Sequence, residues 1–487
     1  MVRMRNLVTT LSAHPVVLIL LLGLGLNLSG TWLLPLIDRD EPRFAEASRE
    51  MLERHDLVVP TFNGAPRYDK PPLIYWAQML SFQLLGETPF AARLPSAAFA
   101  TGTALLIFFW TRRLALPPTA LAAAIMFMTC VQMAIHARLA VADMPMLFFY
   151  VAACWSGWEF TRPAARSRNL WWLIFFVSLG LGFLAKGPIA WLPLAGLWVG
   201  RWCHPREFAG SWISHALGLL LVLGIVGLWG IPALLQTHGD FMRVGLGHHV
   251  VFRSFGVLEG HGASGMLGWL ATAPFFLVTF FFSFFPWALR VPRALRLWWP
   301  TRNTDLVGWY LLAQAGLLFL VFTIVRTKLP HYTLPAFPLL AIWLAIMAGK
   351  GLLPRLNILR WGACMGGFIV VTTIGIGLTL RPLFVAHTLF AAAKSQLQPG
   401  MHMATVIYTE PSLVWEFRQV ITNQVETITT QKAGDFLQRE RPLVLILPTT
   451  LYESTRTNWP ADLQVVTALG MNWSRGFRTG LTALIRR

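Results

Sequence analysis

The stretch DRDEPRFAEASREMLERHDLVVPTFNGAPRYDKPPLIYW occupies residues 38–76 and separates two long apolar segments. It gathers charges of both signs, and its first half predicts an amphipathic helix that begins near Asp40, with Pro42 in the first turn. The residues of the predicted apolar face are Phe44, Ala47, Ser48, Met51, Leu52 and His55. We expect this helix to lie at a membrane surface. A turn is predicted at Asn63-Gly64, and a second helix from Pro72 to Leu85.

The composition identifies a polytopic membrane protein. Of the 487 residues, 55% are hydrophobic and only 13% are charged, with 22 Trp and 34 Phe, which excludes an ordinary soluble protein. The formal net charge of +18 comes from short Arg and Lys clusters between apolar runs, as in cytoplasmic loops of membrane proteins, so we expect no nucleic-acid partner. The four cysteines contain no C-x-x-C pair, and they indicate neither a zinc site nor a disulfide framework.

Apolar runs of nearly spanning length predict roughly eleven membrane spans. They lie at residues 15–36, 89–111, 116–135, 144–161, 169–185, 187–200, 212–235, 266–288, 305–325, 332–349 and 361–380. With a cytoplasmic N-terminus, every inner connection is basic, as the positive-inside rule requires. The outer connections then hold nearly all the acidic, His and isolated Lys residues of the membrane portion. Polar chemistry is therefore expected at the outer face, whereas a transporter places it near the midplane.

We expect two domains. Residues 1–382 form a membrane domain whose outer loop, 38–88, carries the two helices of the opening stretch, and residues 383–487 form a small α/β domain outside the membrane. In the second domain the pattern predicts two buried strands and a helix, at 403–409, 443–450 and 434–441. This domain has no Gly-rich phosphate loop, no clustered His or Cys and no nucleophile motif. A role in shaping the substrate site is favoured over catalysis.

Several polar groups stand at the predicted outer ends of the spans. Asp143 precedes Met-Pro at a span boundary, where an isolated Asp is most often a helix N-cap. Lys186 stands in an AKGP turn, where the simplest interpretation is a Lys that reaches the membrane surface. The loop 236–265 holds four His and Arg253, and RTKLPHYTLPAFP at 326–338 begins a Pro-rich span. Each of these features is ordinary when it is considered alone.

Together and in this order they resemble the 4-amino-4-deoxy-L-arabinose lipid A transferase (ArnT-like) family, one of the GT-C membrane glycosyltransferases, a class that includes the protein O-mannosyltransferases. The resemblance covers about residues 15–340. It rests on DE-x-R-F-A-E from Asp40, KPPLIYW from Lys70, Asp143 before Met-Pro, the AKGP turn, and KLPHY from Lys328. It implies a GT-C fold, a polytopic α-helical membrane protein with about 11–13 transmembrane helices and a small C-terminal periplasmic α/β domain.

The resemblance implies a sugar donor carried on undecaprenyl phosphate and transfer at the periplasmic face of a bacterial inner membrane. The departing phosphate has to be neutralised in a dry site, and the cations assigned to it are Lys70, Lys186 and Arg253. The residues assigned to catalysis are Asp40, Arg43 and Asp143. Those assigned to the sugar and the acceptor are Tyr68, Asp69, Lys328, His331 and Tyr332. An apolar cleft between spans is expected to hold the prenyl tail.

The acceptor decides the role of Asp40. A lipid A phosphate is already ionised at neutral pH, so Asp40 would position the sugar or bind its amino group, whereas a Ser or Thr hydroxyl would need Asp40 as general base. The closer family match favours transfer of aminoarabinose or another aminosugar to lipid A. The alternative is an enzyme of the same architecture that glycosylates protein or another cell-surface glycan. A lipid-linked sugar flippase is less favoured, because the spans carry only isolated polar residues.

No cofactor is expected to be required. Asp69 together with His248 or His249 is a candidate site for a divalent cation, although two ligands are fewer than the three or four that zinc sites use. The expected partners are the undecaprenyl-phosphate-linked sugar, lipid A or another periplasmic acceptor, and membrane lipids.

Overall fold

The structure is a computed structural model that describes residues 14–162, 167–208, 210–252, 265–353, 358–421, 424–439, 441–456 and 459–487. We number its helices and strands in chain order. The helices are α1 Pro15–Leu28, α2 Asp40–Glu53, α3 Leu73–Leu85, α4 Pro89–Leu114, α5 Pro117–Met128, α6 Val131–His136, α7 Asp143–Thr161, α8 Arg168–Lys186, α9 Leu192–Cys203, α10 Trp212–Gln236, α11 Gly265–Thr272, α12 Phe275–Ser283, α13 Val291–Trp298, α14 Leu306–Ile324, α15 Ala336–Gly349, α16 Ile358–Leu380, α17 Val385–Ala393, α18 Pro411–Phe417, α19 Ala433–Leu437 and α20 Thr449–Ser454.

The strands are β1 Thr61–Phe62, β2 Ala65–Pro66, β3 His402–Val406, β4 Glu426–Ile428, β5 Leu443–Pro448, β6 Gln464–Asn472 and β7 Phe477–Arg486. The chain also has 3-10 helices, among them Pro188–Trp191 and Pro330–Thr333, and a π-helix, Phe241–Phe252. Proline occupies the first turn of α1, α5 and α9, where its missing N–H has no intrahelical partner to lose.

The protein is a multi-pass membrane protein. Among the described residues, five helical segments are long and apolar enough to cross a membrane: α4, α8, α10, α14 and Ile358–Leu383. A sixth candidate is a pair of helical segments, Leu267–Ser283 and Trp287–Thr301, bent by 109°. Shorter apolar helices add to these: Pro15–Leu28, Leu73–Leu85, Pro117–Met128 and Ala336–Gly349. The predicted span 116–135 is broken into α5 and α6 at Cys130, whose backbone is extended. The N–H of Val131, the first residue of α6, donates to Phe285 O at 3.2 Å.

The chain divides into two compact units. The first unit contains Met1–Ser29, Tyr68–Ile74 and Arg93–Val371, and the second contains Gly30–Arg67, Tyr75–Ala92 and Thr372–Arg487. Residues 38–76 are therefore shared between the units, and most of them belong to the same unit as the C-terminal strands. The expected division at residues 382 and 383 stays a prediction.

The core of the first unit lies among its long helices, where α7 packs along α8. Large aromatic side chains such as Trp110, Trp158 and Tyr310 are completely buried there. The Tyr310 hydroxyl donates to Cys154 O at 2.8 Å, and Gln314 Nε2 donates to Pro193 O at 3.2 Å. These bonds matter because an unsatisfied polar group in an apolar medium costs several kcal/mol.

The second unit contains a five-stranded sheet of order β4-β3-β5-β7-β6. β3 pairs in parallel with β4 and β5, whereas β7 is antiparallel to β5 and β6. Strands β3 and β5 and helix α19 lie where the sequence predicts them. The predicted small α/β domain is thus present as a sheet with helices around it. The sequence pattern did not predict β6 and β7.

Helix α2 begins at Asp40, as predicted, but its buried face is covered by protein. Phe44, Ala47 and Met51 are at most 3% exposed, and the helix packs against α18 in the same unit. The preceding residue, Arg39, is the N-cap and makes no capping bond; Glu41 instead accepts from the Ile37 N–H at 2.8 Å. The hairpin β1-β2 turns at Asn63-Gly64, both at positive φ, as a type I′ turn requires.

Candidate active site

Asp143 and Lys186 form a buried ion pair in the first unit. Asp143 is the first residue of α7 and Lys186 the last residue of α8, and Lys186 Nζ donates to Asp143 Oδ1 at 2.5 Å. Gly187 ends α8 at φ +81 and Pro188 opens the 3-10 helix that follows, so the AKGP motif terminates the helix directly after the Lys. The side chains are 9% and 16% exposed, and each charge therefore depends on the other.

Two imidazoles stand beside this pair. His136 is the last residue of α6 and is buried, and His331 lies in the 3-10 helix Pro330–Thr333 and is half-buried. Their ring centroids are 5.0 Å apart. Ligand atoms of His136, Asp143 and His331 all lie within 4.8 Å of one another, and among the described residues these three form a group able to hold a metal ion.

The side chain of Gln132 forms a hydrogen bond with the imidazole of His136. Gln132, one turn earlier on α6, lies 2.9 Å from His136 Nδ1 through its Nε2, and its Oε1 accepts from Ser283 Oγ at 3.0 Å. All three residues are buried. The chain of hydrogen bonds fixes the orientation of the imidazole, and it leaves Nε2 of His136 as the ring nitrogen that Gln132 does not contact.

Burial and charge set the protonation of the cluster. Burial raises the pKa of Asp143, but Lys186, followed by the two imidazoles, outweighs burial and holds that pKa below its ordinary value. Burial lowers the pKa of His136. It also lowers the pKa of His331 to about 3, against the opposing effect of Asp143 and with further lowering by Lys186, His136 and Lys70. At neutral pH the carboxylate is therefore ionised and both imidazoles are neutral.

Lys70 belongs to the same neighbourhood, because its charge acts on His331. It follows Tyr68 and Asp69 in the segment Tyr68–Ile74, which belongs to the first unit, and all three residues are half-buried. The Tyr68 ring meets the Phe241 ring edge-on at 5.5 Å. Burial, followed by the nearby charge of Asp240, raises the pKa of Tyr68. These contacts place Tyr68 against the turn that leads into the π-helix.

Lys328 and Tyr332 of the KLPHY motif differ in their surroundings. Lys328 Nζ donates to the carbonyls of Phe322 and Thr323 at 2.9 and 2.7 Å, so this ammonium binds the C-terminal carbonyls of α14. The Tyr332 ring packs 4.7 Å from Phe322 and 5.2 Å from His331. The Lys of the motif therefore binds the C-terminal end of α14. The 3-10 turn that follows carries His331, which lies beside His136 and Asp143.

The second unit holds the other two residues assigned to catalysis. Asp40 is exposed at the start of α2, and Arg43 is half-buried one turn later. Next to them Asp38 accepts two hydrogen bonds from Ser412, from the N–H at 2.8 Å and from Oγ at 2.5 Å. Burial raises the pKa of Asp38 to about 6, with a smaller contribution from Glu410. Asp38 is thus held by Ser412, while Glu41 and Glu46 of the same stretch are buried.

The structure brings together Asp143, Lys186, His331 and Lys70 from the sequence-predicted set. Arg253 lies outside the described residues, and of His248 and His249 only the backbone, within the π-helix, is described. Sequence reasoning missed His136 and Gln132. The available signal was HARLAVAD, in which a His and an Asp seven residues apart flank one turn between two apolar runs.

Comparison with protein families gives a match over the N-terminal half of the chain. The family described as dolichyl-phosphate-mannose-protein mannosyltransferase matches residues 10–242. Those residues include α1 to α10 and the Asp143–Lys186 pair.

Named relatives match a longer part of the chain. The undecaprenyl phosphate-alpha-4-amino-4-deoxy-L-arabinose arabinosyl transferase of Edwardsiella ictaluri is 30% identical over 361 residues, 72% of this chain and 63% of that protein. Arabinosyl transferase 2 of Sodalis glossinidius is 30% identical over 383 residues, 75% of this chain and 67% of that protein. The match thus spans slightly less than two thirds of the E. ictaluri relative's length.

A solved structure matches nearly the whole fold. The crystal structure of ArnT from Cupriavidus metallidurans bound to undecaprenyl phosphate superposes with a TM-score of 0.79, over 96% of this chain and 97% of that chain, at 18% identity. The apo state of the same protein gives a TM-score of 0.77 over the same shares. At this identity the likeness is one of fold.

Proposed function

Because this chain belongs to the undecaprenyl phosphate-4-amino-4-deoxy-L-arabinose arabinosyl transferase family, we propose that it is a membrane glycosyltransferase. Its donor is a sugar carried on undecaprenyl phosphate, with aminoarabinose or another aminosugar favoured. Its acceptor is a phosphate of lipid A. The relatives' names support the donor and the sugar, and a fold like that of an undecaprenyl phosphate complex is consistent with a polyprenyl ligand.

The proposed reaction exchanges one phosphate for another at the anomeric carbon of the sugar. A lone pair of an acceptor phosphate oxygen forms the new C–O bond, and the old bond's electron pair leaves with the undecaprenyl phosphate. The donor phosphodiester carries one negative charge, and the released monoester carries roughly two. Negative charge therefore grows on the leaving phosphate in the transition state, and fixed cations there lower the barrier.

The observation that carries the proposal is the buried Asp143–Lys186 pair with Lys70 nearby. Asp143 holds the Lys186 ammonium in one position at 2.5 Å, so no reorganisation is needed when charge develops on the phosphate. Lys70 acts on the same cluster through its effect on His331. In this proposal Lys186 and Lys70 bind the donor phosphate, Arg253 adds a third cation, and Asp143 positions Lys186.

Asp40 and Arg43 are proposed to act on the sugar rather than as a catalytic base. A phosphate acceptor needs no general base, because it is ionised at neutral pH, and Asp40 with Arg43 would then orient the sugar and its amino group. Tyr68, Asp69, Lys328, His331 and Tyr332 remain the residues proposed to contact sugar or acceptor. The electron balance of this reaction requires no redox cofactor.

The proposed location is the periplasmic face of a bacterial inner membrane. The basic residues of the inner connections support a cytoplasmic N-terminus. The same orientation places Asp143, Lys186 and the KLPHY turn on the outer side, together with the C-terminal sheet.

A different acceptor is the second candidate, and the match to the protein mannosyltransferase family over residues 10–242 favours it. A Ser or Thr hydroxyl has to lose a proton during transfer, so Asp40 would act as general base. This reaction would require the Asp40 carboxylate as a proton acceptor, whereas phosphate transfer would not depend on Asp40 in that way.

Mass spectrometry of the acceptor tests the proposal. Purified protein in detergent is incubated with undecaprenyl phosphate-aminoarabinose and lipid A, and the expected result is lipid A heavier by one aminoarabinose. Lys70→Met should lower the rate at least about tenfold, and exposed Lys394 provides the matched control as Lys394→Met. If lipid A stays unmodified and a protein acceptor becomes glycosylated, the acceptor is a protein hydroxyl and not lipid A. Turnover of neither acceptor with any polyprenyl-phosphate sugar would refute the transferase proposal.

A further inference from the structure

We propose that His136, Asp143 and His331 bind one divalent transition-metal ion of the zinc type. The three residues come from three separate elements, the end of α6, the start of α7 and the 3-10 helix Pro330–Thr333. Their ligand atoms already lie within 4.8 Å of one another. The three ligand atoms are close without any rearrangement of the elements that carry them.

The spacing is close to that of a coordination sphere. Zinc–nitrogen and zinc–oxygen bonds of about 2.0–2.2 Å place neighbouring tetrahedral ligands roughly 3.3 Å apart. Contraction from at most 4.8 Å to that separation needs side-chain movements of about 1 Å each. A half-buried His331 on a 3-10 turn is able to make such a movement.

The ligand types indicate which metal would bind. Two imidazoles and one carboxylate match sites for Zn²⁺, Co²⁺ and related ions, whereas Mg²⁺ and Ca²⁺ prefer sets made only of oxygen ligands. Three protein ligands also leave an open position, as in catalytic rather than structural zinc sites. Lys186 occupies Oδ1 of Asp143, and Oδ2 is the oxygen available to a metal.

A second layer of hydrogen bonds is present and can serve a metal. Metal-bound His residues usually donate their other ring N–H to a hydrogen-bond acceptor. Gln132 lies at His136 Nδ1, and Ser283 lies at the other end of the Gln132 amide. A 180° turn of that amide places Oε1 at Nδ1–H of His136 and Nε2 at Ser283 Oγ, so both bonds survive. His136 Nε2 is then free of a proton for the metal.

The charge of the site indicates a further ligand. Asp143 and Lys186 cancel each other, and an added divalent ion would leave two uncompensated positive charges in a buried place. An anion in the open position offsets them, and a phosphate oxygen is the anion that fits, a point that rests on the proposed function. Inorganic phosphate should accordingly tighten metal binding.

Cobalt titration of the purified full chain tests the site directly. Protein without a His tag is stripped of metal and titrated with Co²⁺, and one equivalent should bind and give visible d–d absorption. Competition with a chromogenic chelator then gives the Zn²⁺ affinity. We expect His136→Ala and His331→Ala to weaken Zn²⁺ binding at least tenfold, and Gln132→Leu to weaken it about tenfold. The exposed His14 provides the matched control, and His14→Ala should bind as the parent protein does.

A gain-of-signal variant covers the case in which an alanine variant unfolds. His136→Cys should bind Co²⁺ with a new near-ultraviolet thiolate-to-cobalt absorption, which arises only when residue 136 is a ligand. The site is refuted if the parent protein binds no stoichiometric Co²⁺, or if all variants bind like His14→Ala. These measurements use no donor sugar, so the metal site fails or stands independently of the transfer reaction.

Discussion

Asp38 lies just before helix α2 and Asp143 is the first residue of α7, and the two aspartates differ in the charge of the side chain that donates to them. Each accepts a hydrogen bond of 2.5 Å, Asp38 from the Ser412 hydroxyl and Asp143 from the Lys186 ammonium. Burial raises the pKa of both. Yet the pKa of Asp38, which lies near Glu410, is raised to about 6. The pKa of Asp143, which lies beside Lys186, is below its ordinary value.

The charge of the partner therefore decides what each buried carboxyl can do. A hydroxyl donor stabilises the carboxylate less than an ammonium does, so burial prevails at Asp38 and the proton is retained into mildly acidic pH. At Asp143 the cation prevails, and the carboxylate is a permanent anion that fixes Lys186. The first unit thus holds a charged cluster suited to a phosphate, and the second holds a proton that leaves near pH 6.

The largest expected effect comes from Lys186→Met, which removes the feature that separates the two aspartates. Asp143 would become a buried anion without a cation, at a cost of roughly 3–5 kcal/mol in the free energy of unfolding. If Lys186 neutralises the leaving phosphate, the transfer rate should fall about 10²–10³-fold. The measurements are the apparent melting temperature in detergent and the rate of lipid A modification.

The double variant Asp143→Asn with Lys186→Met separates stability from activity. It leaves no buried charge at the pair, so the melting temperature should return most of the way to that of the parent protein. The rate should stay low, because the cation is still missing. A double variant that recovers both would show that Lys186 serves folding alone.

The next effect concerns pH and tests the raised pKa of Asp38. Between its ordinary value of 3.8 and about 6, the folded state keeps the proton that the unfolded state loses, so stability falls as pH rises through this window. Asp38→Asn cannot titrate, and its melting temperature relative to the parent should improve by roughly 2 to 4 °C between pH 4 and pH 6.5.

Asp143→Asn provides the contrast for that experiment. The depressed pKa of Asp143 means that its stabilising effect is present above about pH 4 and is lost only below it. The difference in melting temperature between Asp143→Asn and the parent should therefore be constant from pH 5 to pH 8. A constant difference for Asp38→Asn as well would show that Asp38 titrates in the ordinary range.

Much of the fold could be predicted from the sequence, because it follows from local patterns. The apolar runs predict a helical membrane protein, and the relatives confirm the family predicted from DE-x-R-F-A-E, KPPLIYW and KLPHY. β5 is a continuous apolar run, and β3 is buried from Met403 to Val406. β6 was missed because much of its surface is exposed and its sequence QVVTALGMN does not alternate. The burial of the α2 face was missed because a membrane and a protein partner require the same apolar stripe.

The sequence predicts candidate residues for the site, but it does not predict the contacts between them. Asp143 and Lys186 are 43 residues apart, and each alone fits a local explanation, an N-cap or a Lys at the membrane surface. Only the packing of α7 on α8 shows that they meet. Likewise Lys328 carries no sign in the sequence that its ammonium binds the carbonyls of Phe322 and Thr323. The roles assigned to all of the site residues, from Asp40 and Lys70 to Asp143 and Lys186, stay predictions.

A smaller effect is expected from Ser412→Ala, which removes the hydroxyl donor and keeps the N–H donor to Asp38. The loss should be roughly 1–3 kcal/mol above pH 6, where Asp38 is ionised, and less below pH 5. The upper end of the pH window in which stability declines should move upward, because loss of a donor to the carboxylate raises the pKa of Asp38 in the folded state. Melting curves from pH 4 to pH 8 measure both, with exposed Ser454 as the matched control in Ser454→Ala.

The smallest effect is expected from Arg39→Ala, because exposure weakens a charge pair. Arg39 Nε lies 3.9 Å from Glu410 Oε2, and the Arg side chain is 44% exposed, so the pair is worth at most about 1 kcal/mol. Buried Glu410 also keeps Asn472 Nδ2 at 3.1 Å and Arg475 Nε at 3.6 Å. The melting temperature should therefore change by no more than about 1 °C, and raised salt should abolish the difference. A loss as large as that of Lys186→Met would mean that burial does not separate the strong ion pairs of this protein from the weak ones.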